Sequence, residues 1–339
     1  MAHLLRTAAL LALLPGIAGA DPLPALNLDP GATTVSGLSS GAFLAVQLQV
    51  AFSERIAGAG IVAGGPYGCA DGYAYRALWI CMQPNMGRPK ADRAVAEIAD
   101  LAADGRIDDP AHLAADRIYL FHGSADPTVD RIAMDALRES YALFGVPDGQ
   151  ITYATDIPAG HGFVTENGPL TCGETTEDFL IDCDVDQAGD ILAQLYGPLA
   201  PATQARAQGL LEVDQSLYLE GAVGMDEVAF VYVPETCEAG DPCRLHIALH
   251  GCNQGHEVIE EDYVRLTGYN RWAEANGIVV LYPQALKLDP PFWDLFSPRN
   301  PEGCWDWWGY SGSDYLSHDA PQMAAIARMA DALGAPLTP

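Results

Sequence analysis

The chain has 339 residues, and its 45 acidic against 17 basic side chains give a formal net charge of −28. A surface that negative repels nucleic acid and anionic membrane, and it favours neutral molecules as substrates. The length suits one large α/β domain rather than two, and eight cysteines point to an oxidising compartment.

Residues 1–20 read as an export leader. They carry one early cation (Arg6), an apolar run from Ala8 to Leu14, and Ala18-Gly19-Ala20 as a cleavage signal. Residues 21–339 then form a single catalytic domain, secreted into the medium or the periplasm. No apolar run is long enough to span a bilayer.

The most informative stretch is Gly37-Leu38-Ser39-Ser40-Gly41. It follows a β-like run (Thr33 to Val35) and opens a helix-like one (Ala42 to Phe52). Strand, tight turn and helix are what a nucleophile elbow requires, with Ser39 as the lifted hydroxyl. Only Ser39, not Ser40, has glycine two positions away on both sides. After a strand at Ala57 to Val62, the run Arg117 to Phe121 reads as another and ends in His122-Gly-Ser-Ala-Asp126. An acid in that loop is the candidate triad carboxylate. Asp130 is the competing acid, but it stands where a helix over Ile132 to Phe144 begins and reads as an N-cap. His122 reads as a local hydrogen-bonding residue. A strand at Ile151 to Thr155 leads to Pro158-Ala-Gly-His161-Gly-Phe163, a histidine between glycines in a loop.

The order Ser39, Asp126, His161 is that of α/β-hydrolases. Serine is a poor nucleophile on its own, so His161 must take its proton. Asp126 must hold the imidazole in the right tautomer. His3 lies in the leader, and His112, His246, His256 and His318 lack a glycine-loop setting and read as structural or surface histidines.

Further along, Asp182-Cys-Asp184-Val-Asp186 begins like a calcium loop but lacks the glycine and the closing acid, so no calcium site is read there. Strands are expected at Val228 to Val233, Leu245 to Leu249 and Ile278 to Tyr282, and helices at Tyr263 to Asn276 and Ala320 to Leu333. The alternation argues for a mostly parallel sheet with helices on both faces. Leu245 to Leu249 runs into His250-Gly251-Cys252-Asn253, which is similar to the HG-type oxyanion loop of esterases. That loop ordinarily precedes the nucleophile, whereas here it follows. Circular permutation of the fold, with termini moved to the connection before the Ser39 strand, accounts for the order. Among eight cysteines roughly 105 pairings exist. Neighbour pairing gives Cys69–Cys81, Cys172–Cys183 and Cys237–Cys243, leaving Cys252 with Cys304. No C-x2-C pair is present, and neither metal nor cofactor is expected.

Val35 to Gly41, Ala63-Gly-Gly-Pro-Tyr67, Phe121 to Asp126, Gly160-His-Gly162, Asp182 to Gly189 and Leu249 to Asn253 together resemble the circularly permuted, single-domain polyhydroxybutyrate depolymerases of the fungal type, which have bacterial members. The resemblance covers nearly the whole chain after the leader. It implies a serine esterase acting on poly(3-hydroxybutyrate) or its oligomers, with Ser39, Asp126 and His161 as the triad; a monomer is expected. It further implies the Ser40 and Cys252 N–H groups as the oxyanion hole, and Trp305 and Trp307 lining a polyester crevice. A feruloyl or acetyl-xylan esterase would use the same machinery. From another class, a non-catalytic granule-binding protein would have no reason to keep a triad.

Overall fold

The computed structural model describes residues 21–176, 178–294 and 296–338, so the leader reading falls outside the described residues. Among the described residues eleven strands run in chain order: β1 (Thr33–Leu38), β2 (Ile56–Val62), β3 (Arg117–Phe121), β4 (Ile151–Ala154), β5 (Phe163–Thr165), β6 (Leu170–Thr171), β7 (Leu180–Asp182), β8 (Leu210–Asp214), β9 (Val228–Tyr232), β10 (Arg244–Leu249) and β11 (Ile278–Tyr282). Eight of them form one sheet in the order β4-β3-β2-β1-β10-β11-β9-β8, and β5, β7 and β6 form a small second sheet. From β4 to β11 all neighbours are parallel, whereas β9 and β8 are joined antiparallel.

The central strands are almost wholly buried because both faces are covered, and most of their side chains are apolar in β2 and β11, while β1 and β10 bury Thr34, Ser36 and His246 as well. Side chains alternate between two cores with the period of two that a strand imposes. Ile118 and Leu120, Leu245 and Ile247, and Val279 and Leu281 enter one core; Tyr119 and Phe121, Ala248, and Val280 and Tyr282 enter the other. Helices Ser40–Ala51, Ala91–Ala103, Arg131–Leu143 and Pro321–Leu333 cover the first face, and Gln187–Tyr196 and Tyr269–Asn276 the second. This is an α/β-hydrolase architecture, a mostly parallel sheet with helices on both faces.

Helix Ser40–Ala51 has no polar side, and every one of its residues is buried. A helix apolar all round belongs in a core. Its two amides both donate, Gln47 to the Tyr315 carbonyl and Gln49 to Asp116. The stretch expected as one helix over Tyr263 to Asn276 is two, Asp262–Leu266 and Tyr269–Asn276, broken at Gly268. Gly268 has φ 92, a left-handed conformation that ends one helix and starts the next.

Register brings the loops together. Gly37 lies opposite Leu249 and Leu38 opposite Val62, Val62 opposite Phe121, and Phe121 opposite Ala154. The carboxyl ends of five neighbouring strands are therefore level, and the loops that leave them share one edge of the sheet, where open α/β sheets place ligands.

Candidate active site

At that edge β1 turns into its helix through Ser39, whose backbone is left-handed at φ 55 and ψ −119. A non-glycine residue there is strained and persists only because its surroundings fix it. The two flanking glycines explain how. A Cβ on Gly37 would collide with the Gly41 carbonyl, and one on Gly41 with the His250 carbonyl. The elbow can therefore close on itself and press against the end of β10 only with glycine at both positions. The Ser39 N–H donates to the Val62 carbonyl at 2.9 Å, which holds the turn to β2. Ser40 is the first helical residue, so its N–H has no carbonyl a turn earlier to bond.

The loop after β3 carries Asp126 and the loop after β4 carries His161. His161 Nδ1 and Asp126 Oδ2 are 2.8 Å apart, both side chains nearly fully buried. The other carboxylate oxygen accepts the N–H groups of Thr128 (2.7 Å) and Val129 (3.1 Å). Burial pushes the Asp126 carboxyl up. The hydrogen bond and charge of His161, with the two backbone N–H groups, outweigh burial and hold it below the usual carboxylate range. A carboxylate kept charged makes Nδ1 the protonated nitrogen and leaves Nε2 to accept a proton. The His161 N–H donates to Thr175 Oγ1 at 2.8 Å, which fixes the loop from its other side. Ser39 Oγ and His161 Nε2 are not hydrogen-bonded to one another. Both residues line one crevice of about 460 Å³.

The β10 loop supplies the opposite wall. His250 Nε2 accepts the Ala285 N–H at 3.0 Å, so the imidazole is neutral and its Nδ1 proton faces the Gly251 carbonyl at 2.6 Å. Burial pushes its pKa down to about 4, against the opposing pull of that carbonyl. The Gly251 N–H donates to Gln254 Oε1 at 2.7 Å, and Gln254 Nε2 donates to the Asp178 carbonyl at 2.6 Å. With its neighbours tied in this way, the Cys252 N–H is left without an acceptor among the described residues, in a loop that lines the crevice. Cys252 is bonded to Cys304, and Cys69–Cys81, Cys172–Cys183 and Cys237–Cys243 are the other disulfides.

The chain is 37% identical over 315 residues to a polyhydroxybutyrate depolymerase of Talaromyces funiculosus, covering 91% of each chain. It is 42% identical over 314 residues to a poly(3-hydroxybutyrate) depolymerase of Delftia acidovorans, covering 91% of this chain but only 61% of that longer relative. The crystal structure of PHB depolymerase from Penicillium funiculosum matches with a TM-score of 0.83 at 36% identity, covering 92% of this chain and 98% of that one. A serine-to-alanine PHB depolymerase complexed with an R3HB trimer matches equally well. The chain belongs to the polyhydroxybutyrate depolymerase family. No protein-family model matches it.

Within this depolymerase-family chain the crevice gathers Ser39, His161, Cys252 and Trp307, with Asp126 behind His161. Trp305 is a correction. It does not line the crevice; it is fully buried, and its indole N–H donates to the His250 carbonyl at 3.0 Å. Its part is to hold the β10 loop from beneath. Trp308 takes the place at the wall expected of it, next to Trp307, which stacks on Phe43 with ring centroids 4.0 Å apart. Asp306 turns this segment by accepting the N–H groups of Gly309, Tyr310 and Ser311. Sequence reading also missed Gln254, whose only signal was its place two residues past Cys252. Asp130 caps helix Arg131–Leu143 by accepting the Ile132 N–H at 3.0 Å, and His122 bonds the Val129 carbonyl. Among the described residues no cluster of three or more His, Cys, Asp or Glu could hold a metal, and no helix is long and apolar enough to cross a membrane.

Proposed function

We propose that this protein is a secreted, monomeric serine esterase that hydrolyses poly(3-hydroxybutyrate) or 3-hydroxyalkanoate oligomers through an acyl-enzyme. The observation that carries the reading is the His161–Asp126 pair, buried beside a left-handed Ser39 in one mostly apolar crevice. The relatives named as depolymerases support the substrate class. Ser39 Oγ attacks the ester carbonyl while His161 Nε2 takes its proton. The N–H groups of Ser40 and Cys252 receive the negative oxygen. His161 then protonates the departing hydroxyl end and deprotonates the water that releases Ser39 and a carboxylic acid. Trp307 and Trp308 offer flat apolar faces to a chain of alternating methyl and ester groups. Tyr73, Tyr75 and Trp79, on the segment that supplies Ala74, Ala77 and Leu78 to the crevice, are exposed, as are Phe292, Trp293 and Phe296, a few residues before Arg299 in its lining, Phe296 by 98%. Bare aromatic side chains beside an apolar crevice suit contact with a polyester surface. Residues 1–20 are the export leader, and four disulfides suit an oxidising destination.

The test is mass spectrometry of products from amorphous polyhydroxybutyrate, with methyl ferulate as the competing ester. Hydroxybutyrate acids should be released, and methyl ferulate turned over far less. Ser39→Ala should lower kcat by on the order of 10⁴ with the fold unchanged. Asp126→Asn should be comparably severe and Asp130→Asn mild. Substantial turnover by pure Ser39→Ala would remove the elbow from the mechanism.

A further inference from the structure

Behind the crevice lies a second cavity of about 400 Å³ with different chemistry. The two are divided by the strap of residues 73–82, pinned by Cys69–Cys81. Ala77 and Leu78 face the crevice, and Arg76 and Ile80 face the second cavity. Four cations line that cavity, Arg76, Arg88, Lys90 and Arg93, together with two acids, Asp92 and Glu97. Its lining is therefore net positive, in a chain whose formal charge is −28.

The arrangement is not a set of satisfied ion pairs. Arg76 and Arg93 share one acid, Asp71, at 3.8 and 2.5 Å. The Arg76 Nε is buried without a hydrogen-bond acceptor. Arg88 and Lys90 make no ion pair among the described residues, although the chain carries 45 acids. Asp92 spends one oxygen on the Arg93 N–H at 2.9 Å. Cations gathered around a concavity and left short of partners are a site for an anion.

We propose that this cavity binds the carboxylate of a short hydroxy acid, the class of product that ester cleavage releases on the other face of the strap. The proposal rests on the esterase reading for the identity of the acid. Each cleavage of R–CO–O–R′ by water yields R–COO⁻, a proton and HO–R′, so a neutral polymer becomes an anion beside a surface that repels anions. The four cations supply the carboxylate's donors, and Asp92 or Glu97 offers an acceptor for its hydroxyl. The shared chemistry is a terminal carboxylate, carried by a free monomer or by an oligomer end.

Isothermal titration of the purified protein with sodium 3-hydroxybutyrate, its linear trimer acid and its methyl ester tests this without any turnover. The acids should bind saturably and lose affinity as salt rises, with the tighter acid naming the source, while the methyl ester should not bind. Arg88→Gln/Lys90→Gln, two exposed changes outside the crevice, should weaken acid binding by about tenfold or more and leave p-nitrophenyl butyrate turnover intact. Absence of acid binding, equal binding of the methyl ester, or full binding by the double variant would overturn the proposal. Because the readout is binding, none of these results bears on the esterase reading, and an inactive crevice would not remove the cation site.

Discussion

At Asp116 a buried carboxylate sits in the core with a single side-chain donor. It is 4% exposed, and its Oδ2 accepts Gln49 Nε2 at 2.6 Å, while Gln49 Oε1 accepts the Tyr141 hydroxyl at 2.5 Å. Burial pushes the carboxyl up to about 7, and the Gln49 hydrogen bond only partly opposes it. A folded pKa above the unfolded one means the native chain keeps a proton that the unfolded chain has lost. Stability is therefore unaffected at the acid end, falls as pH rises from about 4 towards 7, and stays reduced above that. Asp116→Asn keeps a donor and an acceptor for Gln49 and removes the charge. Its melting temperature should exceed the parent's by several degrees at pH 8, with the gap closing near pH 4. Each pKa unit is worth about 1.4 kcal/mol. Equal melting gaps at both pH values would show that Asp116 does not titrate in this range. Nothing in the sequence marked this residue, because burial is a property of the packed helices around it.

Among the elements, those legible beforehand were the ones whose local chemistry is self-contained. β3, β10 and β11 are apolar runs ended by glycine, histidine or proline, and the elbow announces itself through two glycines and a serine. Helices Ala91–Ala103 and Gln187–Tyr196 and the edge strand β8 were not picked out. β8 is half exposed and polar, so its pairing with β9 comes from the sheet and not from its own composition. The acidic run at Asp182 to Asp186 has a local use: Asp186 caps helix Gln187–Tyr196 by accepting the Gly189 N–H at 3.0 Å. Trp305 and Trp307 could not be told apart in sequence, since the turn around Asp306 decides which indole goes down and which faces the crevice. The Cys252–Cys304 bond now links both walls, joining the β10 loop to that aromatic turn across 52 residues. A closed loop of that length stabilises the chain by on the order of 4 kcal/mol in the entropy model. Cys304→Ser should lower the melting temperature and also kcat, because the Cys252 N–H, in the oxyanion role proposed for it, has to be held to a fraction of an ångström. A variant that melts early yet keeps full kcat at low temperature would confine the disulfide to stability and leave Gln254 and His250 to position the loop.

On the scale of the whole molecule, the strand order is the informative quantity. β1 lies between β2, which follows it directly, and β10, which follows it after most of the chain, and both pairings are parallel. In an α/β-hydrolase the strand leading to the oxyanion loop comes before the nucleophile strand. Neighbours in space are unaffected by where a chain is cut, so the same sheet can be strung in either order. We propose that this chain is a circular permutation of that fold. Its described ends lie together, the Leu26 N–H donating to the Leu333 carbonyl at 3.0 Å, and Leu23 and Leu337 share one core. Joining residue 339 to residue 21 with a short glycine–serine linker, and reopening the chain between Ala200 and Pro201, would restore the ordinary order. Residues 198–206 carry no strand or helix before the turn at Ala207, so the cut breaks no ladder. The rearranged chain should fold with the same four disulfides and keep kcat/KM for p-nitrophenyl butyrate within about tenfold. Should it fail to fold, or fold with turnover lost, the present order of β1 and β10 would be a requirement of this structure and not an accident of where its ends fall.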